Sequence, residues 1–438
     1  MFQVKGYDQT RGYAQDIGRK CKEDSTIVEQ IKELGGVPFV LTNVPRTLLS
    51  YSCTNPIYGT TSNAFREDRT SGGSSGGEGA LIACGGSLIG IGTDVGGSIR
   101  YPCHFNGIAG IKPSHTRLSK LGVLNSVPGR QLADAAVGPM SKRIFACVYF
   151  LRHMWSKKYQ YVKDPYSSPV DWDETQYSSR CKLRIGYYID DGWFTPTPAL
   201  QRAVLEAKVA LEKCGHSLIE FRPSDVIQAF QNFSAAITVD GGEYLRRKLS
   251  KDLGGCDERS LTVWILRLPV WAKRIVAFLI EPIYPRIAIQ LRAIPSTISE
   301  LRSVYEQIEN YRHKFVQKMH DEHIDAILCP IQVIPAPTHD VPAKLSAAGS
   351  YCSLFNILDF AAGTVNVTRV SEQDERHLNE EYPTSDPWYI LAKKAAMDSV
   401  GLPVGVQVAA PPFKEETVLR VLKDIEETIA SSDGHGRD

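Results

Sequence analysis

Residues able to do chemistry concentrate in two glycine- and serine-rich stretches, Gly72 to Gly79 and Val95 to Arg100. A serine acts as a nucleophile when a tight turn exposes its hydroxyl and neighbouring backbone N–H groups aim at the oxyanion. Residues without a Cβ permit both. Val95-Gly96-Gly97-Ser98 has that make-up. A serine hydroxyl also needs a partner to take its proton. The chain has no G-x-S-x-G elbow, and His104 in Pro102-Cys-His-Phe reads as a packed or surface side chain rather than a base. The base must be another residue type. Two plainer readings compete for Gly72 to Gly79. A flexible linker would share its composition, but linkers do not usually run into Ala80-Leu-Ile-Ala and a second glycine turn. A phosphate loop is set aside, because neither G-x-x-x-x-G-K-[ST] nor G-x-G-x-x-G is matched.

Such turns need a rigid frame, and the periodicities supply one. Ser25 to Leu34 has helical spacing and ends at Gly35-Gly36; Val37 to Leu41 follows with a buried-strand pattern. A helix is expected near Ala146 to Trp155, a polar surface connection over Tyr159 to Arg180, and a strand at Leu183 to Tyr188. Pro198 to Cys214 repeats the helical pattern and Leu218 to Phe221 the strand pattern, so helix and strand alternate as in α/β proteins. With 438 residues, 43% of them hydrophobic, the chain can bury one large core or two to three smaller ones. Fifty basic and 49 acidic side chains leave a net charge of +1, which argues against nucleic acid as a partner. Ten cysteines, spaced singly without C-x-x-C, read as reduced thiols of a cytosolic face rather than metal ligands. Met1 to Lys20 carries charges throughout and has no apolar signal or spanning segment.

One segment stands apart. Trp264, Leu268, Trp271, Ile275 and Phe278 follow steps of four and three, while Arg267, Arg274 and Glu281 recur every seven on another face. Pro269, Pro282 and Pro285 divide the segment into short helices. By pattern it is either a core-packing helix or an interfacial one, and it is too short and interrupted to span a bilayer.

The stretches S-G-G-S-S-G-G-E-G-A-L-I (71 to 82), G-I-G-T-D-V-G-G-S-I-R-Y-P (90 to 102), F-N-G-I-A-G-I-K-P-S (105 to 114) and G-P-M-S (138 to 141) closely resemble the amidase signature. The resemblance implies a large mixed, twisted β-sheet surrounded by α-helices, and a triad of two serines and a lysine that needs no metal or organic cofactor. Matched residue by residue, Ser98 is the nucleophile and Ser74 the serine that relays its proton. The backbone N–H groups of Val95, Gly96, Gly97 and Ser98 form the oxyanion hole. Asp94 and Arg100 flank the turn and are expected to hold it as a charge-assisted pair. The family's lysine falls immediately ahead of Met1, since Phe2-Gln-Val-Lys5-Gly6 matches the segment just downstream of it; Lys5 is expected to face solvent. The chain as given is therefore expected to turn over weakly or not at all, as a fragment, a short isoform or an inactive variant.

Beyond the signature, V-P-F-V-L-T-N-V-P (37 to 45), S-Y-S-C-T-N-P (50 to 56), I-L-R-L-P-V-W (265 to 271) and K-K-A-A-M-D-S-V-G-L-P-V-G-V-Q (393 to 407) resemble fatty acid amide hydrolases. That likeness implies one domain over 1–438 with a membrane-binding helical cap at about 261–293. It also implies fatty acid amide substrates, a homodimer, and peripheral attachment to the cytoplasmic face of intracellular membranes. Leu48, Leu49, Tyr51 and Trp388 match positions lining the family's acyl channel, the two leucines departing from its methionine and phenylalanine. Rival expectations are a catalytically dead lipid-amide-binding protein and a soluble amidase of small amides.

Overall fold

The computed structural model describes residues 1–156, 158–252 and 268–432. Its main sheet has eight strands: β1 (Ile89–Asp94), β2 (Ala109–Lys112), β3 (Ala136–Ser141), β4 (Arg184–Tyr187), β5 (Ser217–Glu220), β6 (Ala326–Pro330), β7 (Ala361–Arg369) and β8 (Pro403–Ala410). In space they run β1-β3-β2-β7-β8-β6-β4-β5. Neighbours are antiparallel from β1 to β6 and parallel across β6-β4-β5. The parallel pair β4-β5 needs a crossover, and the helix Pro198–Lys213 provides it.

The helices used below are α1 (Thr26–Glu33), α2 (Gly76–Ala83), α3 (Arg100–Asn106), α4 (Ile144–Met154), α5 (Pro198–Lys213) and α6 (Val226–Ile237). They continue with α7 (Val270–Ile280), α8 (Pro285–Ala293), α9 (Ile298–Asp321), α10 (Ser350–Ile357), α11 (Pro387–Ala396) and α12 (Glu415–Ser432). Side chains alternate across the sheet. Ala326 and Leu328 of β6 join a core with α4, α5 and α12, whereas Ile327 and Cys329 join a second core with α6, α9, α10 and α11. Helices therefore flank a sheet buried on both faces, the mixed α/β architecture expected from the sequence. The nine described cysteines are all free.

One expected element is not formed. Val37 to Leu41 is not a strand: Val37 is 80% and Phe39 65% exposed. A strand pattern becomes a strand only with a ladder partner, and among the described residues this segment has none.

His104 is a packed side chain on α3. Its Nδ1 accepts the Gly405 N–H at 3.0 Å, and Nε2 lies 3.3 Å from the Ile334 carbonyl, which fixes Nε2 as the protonated nitrogen. Burial pushes its pKa from 6.5 down to about 4, against the smaller opposing effect of the Ile334 carbonyl. The unfolded chain thus takes up a proton below pH 6.5 that the folded chain refuses until about pH 4. Stability held above this window should fall by about 3 kcal/mol across it. Urea unfolding at pH 7 and pH 4.5 should show a smaller loss in His104→Asn than in the parent; equal losses would exclude His104 as the source.

Candidate active site

Strand β1 ends at Asp94, the chain turns through Val95 to Ile99, and α3 begins at Arg100. The Asp94 carboxylate organises that turn. Its Oδ1 accepts the Gly97 N–H at 2.7 Å, its Oδ2 accepts the Ile99 N–H at 3.1 Å, and Asn356 Nδ2 donates to Oδ1 at 3.0 Å. Arg100 grips the same carboxylate in a two-pronged pair, Nη2 to Oδ1 at 2.9 Å and Nε to Oδ2 at 3.1 Å. Both side chains are fully buried. Burial alone would raise the Asp94 pKa, yet the guanidinium and the Asn356 amide overcome it and hold the carboxyl well below its ordinary range.

Arg100 has donors to spare, and they tie the turn to the rest of the fold. Nη1 reaches the Cys352 carbonyl at 3.1 Å and Gln407 Oε1 at 3.0 Å, while Nη2 also reaches Asn356 Oδ1 at 2.6 Å. Gln407 in β8 in turn donates to the Pro330 and Tyr351 carbonyls at 2.7 and 3.0 Å. The turn is thereby locked to β8, β6 and α10. Gly97 sits at φ +116°, and a Cβ there would lie 2.4 Å from the Tyr101 ring. No other residue type fits.

The second serine segment docks against the first. The Ser75 N–H donates to the Ser98 carbonyl at 3.1 Å, and the Ser75 hydroxyl accepts the Thr93 N–H at 3.3 Å. Ser74, beside it, is buried, whereas Ser98 keeps part of its surface open. Gly73 packs on the 50–52 backbone so closely that a Cβ would come within 2.1 Å of the Ser52 carbonyl oxygen, and the Gly73–Ser74 peptide bond is cis. Of the four amides around the turn, that of Gly97 is engaged by Asp94, which leaves those of Val95, Gly96 and Ser98 as candidate oxyanion donors.

The expected acyl-channel residues divide into two groups. Leu48 and Tyr51 are buried and Leu49 is partly exposed; the Tyr51 ring lies 5.7 Å from that of Tyr101, and its hydroxyl donates to the Leu345 carbonyl at 3.0 Å. Trp388 is buried in the second core on α11, its ring 6.2 Å from that of Phe194. Phe233 on α6 is a residue the sequence reading did not single out. A Cβ on Gly96 would touch its ring at 2.7 Å, so Phe233 closes over the turn. Its signal was faint: an aromatic pair, Phe230 and Phe233, one turn apart on an apolar helix.

Of the residues expected to form a cap, Trp264 lies outside the described residues, and Leu268 is half-buried. On α7 the apolar stripe points outward, with Trp271 67%, Ile275 52% and Phe278 71% exposed. The buried face carries Lys273 and Ala277 instead, with Lys273 Nζ donating to the Gly241 carbonyl at 2.8 Å. The core-packing reading of this stripe is therefore overturned: the stripe faces solvent. No helix among the described residues is long and apolar enough to cross a membrane. Lys5 is exposed, as expected.

Removing one half of a buried ion pair leaves the other half uncompensated, at a cost of about 3–5 kcal/mol. Asp94→Asn should lower the denaturant-derived stability by that order and loosen the Ser98 turn, whereas Glu220→Gln, in an exposed pair with Arg222, should change it by less than about 1 kcal/mol. Equal small effects would show that the buried pair does not organise the fold.

A family model for amidases matches residues 1–419. A curated relative from Caenorhabditis elegans named fatty acid amide hydrolase 1 is 52% identical over 427 residues, which cover 97% of this chain and 74% of the relative. Fatty-acid amide hydrolase 1 of Sus scrofa is 40% identical over 433 residues, again 74% of its length. A solved structure described as fatty acid amide hydrolase superposes with a TM-score of 0.82 at 26% identity, covering 98% of this chain and 71% of that one. With the signature stretches folded into adjoining serine turns, and relatives of this likeness along nearly its whole length, the chain belongs to the amidase signature family of amide-hydrolysing enzymes.

Proposed function

We propose that this protein acts on fatty acid amides, with Ser98 as the nucleophile. The observation that carries the reading is the direct hydrogen bond between the segment of Ser74 and the carbonyl of Ser98, set in a buried ionic frame. The names of the two curated relatives support the substrate class. In this reading Ser98 Oγ attacks the amide carbonyl as its proton passes to the Ser74 hydroxyl, which hands its own proton on to the base that the family supplies as a lysine. The oxyanion is met by amides of the Val95 to Ser98 turn. The amine then leaves with the proton returned through Ser74, and water releases the fatty acid from the acyl-enzyme. No cofactor takes part.

The third member of the family's triad, a lysine, has no match within these 438 residues. Met1, at the start of the segment matched to the stretch downstream of that lysine, accepts a hydrogen bond from the Thr93 hydroxyl on its sulfur at 2.9 Å. The Thr93 N–H also donates to the Ser75 hydroxyl, so Thr93 links Met1 to the residue that follows Ser74.

The acyl chain would lie along Leu48, Leu49, Tyr51 and Trp388, where burial is worth roughly 0.8 kcal/mol per CH₂. The outward stripe of α7 would rest on a membrane surface, placing the protein at the cytoplasmic face of intracellular membranes as a peripheral homodimer. Such a stripe combines aromatic and aliphatic side chains with Arg274 on the same helix, a composition suited to an interface.

A long-chain fluorophosphonate followed by intact-mass spectrometry tests the chemistry. Labelling should fall on Ser98, vanish in Ser98→Ala, and speed up by about a hundredfold or more when the chain is extended at its N-terminus by a family segment carrying the lysine. Fast labelling without the extension would mean that another group activates Ser98. The cap is tested by flotation. The chain should rise with anionic vesicles, and Trp271→Glu combined with Phe278→Glu should leave it at the bottom; unchanged flotation would remove the cap from the reading.

A further inference from the structure

Arg286 lies on α8, the second helix of the cap, yet its guanidinium reaches away from the cap into the body of the protein. Nε and Nη2 donate to the Trp193 carbonyl at 3.0 and 2.8 Å. Nη1 pairs with Asp386 Oδ2. The other oxygen of that carboxylate caps α11, accepting the N–H groups of Trp388 at 2.8 Å and Tyr389 at 3.0 Å. The cation also sits over the rings of Phe194 at 4.7 Å and Tyr389 at 4.8 Å. Its side chain is only 11% exposed and that of Asp386 only 18%.

This is more than a surface pair. A single planar group fixes three separate pieces of chain: the cap helix, the 193–194 turn and the first turn of the helix that carries Trp388. The second of these also touches Trp388 through Phe194, whose ring is 6.2 Å away. Any shift of α8 relative to the core must therefore either break the Arg286 bonds or drag the capping carboxylate, and with it the start of α11. α8 itself is packed on α7 through Ala277, Ala288 and Leu291, so a displacement of the outward-facing helix is passed to α8 by side-chain contact.

We propose that Arg286 is a positioning residue for chain-length selection, setting the place of the Trp388 wall by the seating of the cap. The inference rests on the reading of the protein as a fatty acid amide hydrolase, with Trp388 along the acyl path. A lysine cannot replace the group, because one ammonium cannot donate in parallel to a carbonyl and a carboxylate while lying flat between rings.

Equilibrium binding to the full 438-residue chain tests this without requiring turnover. The probes are a dansyl-labelled undecanoic acid and its butanoic counterpart, titrated with and without neutral vesicles. The parent should bind the long probe more tightly than the short one. Arg286→Lys and Asp386→Asn should reduce that long-over-short ratio by about tenfold while leaving the affinity for the short probe nearly unchanged. Asparagine can still cap α11, so a loss in Asp386→Asn reports on the clasp rather than on the helix end. A parent with chain-length preference whose variants keep it would overturn the inference alone. A parent with no preference would overturn the functional reading and the inference with it. A parallel drop for both probes would assign Arg286 a purely structural role and overturn the inference as well.

Discussion

A buried carboxylate in the company of a single guanidinium is the constraint on which the site depends. Asp94 accepts two backbone N–H groups of the turn it precedes, and Arg100 accounts for the remaining charge. An ion pair taken out of water is costly unless every donor and acceptor finds a partner. That requirement explains why the turn is bound to elements far away in sequence. Cys352, Asn356 and Gln407 are recruited to complete the Arg100 shell, and through them α10 and β8 become part of the frame behind Ser98. The specificity of the turn is thus set by electrostatic completeness as much as by the glycines.

The same logic operates at α7 and α8. α7 has an apolar stripe that water does not favour and a buried face poor in large side chains; it meets α8 in a small cluster around Ala277, Ala288, Leu291 and Ile294, and Ile287 and Ile289 of α8 pack on the second core. Polar contacts add to that attachment: Lys273 to the Gly241 carbonyl, and Arg286 to Trp193 and Asp386. Directional bonds can fix an element in register without covering its outer face. A surface that remains apolar and open follows from that division of labour.

The serine turns were legible because their residue types are nearly without substitutes: glycine at φ +116°, and a backbone approach of 2.1 Å at Gly73 that no Cβ survives. The alternation of strand and helix from Leu183 to Phe221 was legible for a different reason. A parallel pair with its crossover is a local unit, and its periodicities lie within one stretch of sequence. Val37 to Leu41 was misread because its pattern reports only a tendency to pair, and pairing depends on a neighbour. The α7 stripe had two readings because periodicity specifies a face and not what that face meets.

Determined by the sequence alone were the two glycine- and serine-rich turns, the α/β class, and an amphipathic stripe over Trp271 to Phe278. These properties are local: they rest on single side chains, on missing side chains, or on repeats of two and of three to four residues. The tertiary structure decided what no local pattern holds. It brought Ser75 to the Ser98 carbonyl, placed Phe233 over Gly96, engaged the Gly97 amide with Asp94, and turned the α7 stripe outward. Each of those outcomes depends on groups from distant parts of the chain satisfying one another's charge, hydrogen bonds or volume, and that balance exists only once the chain has folded.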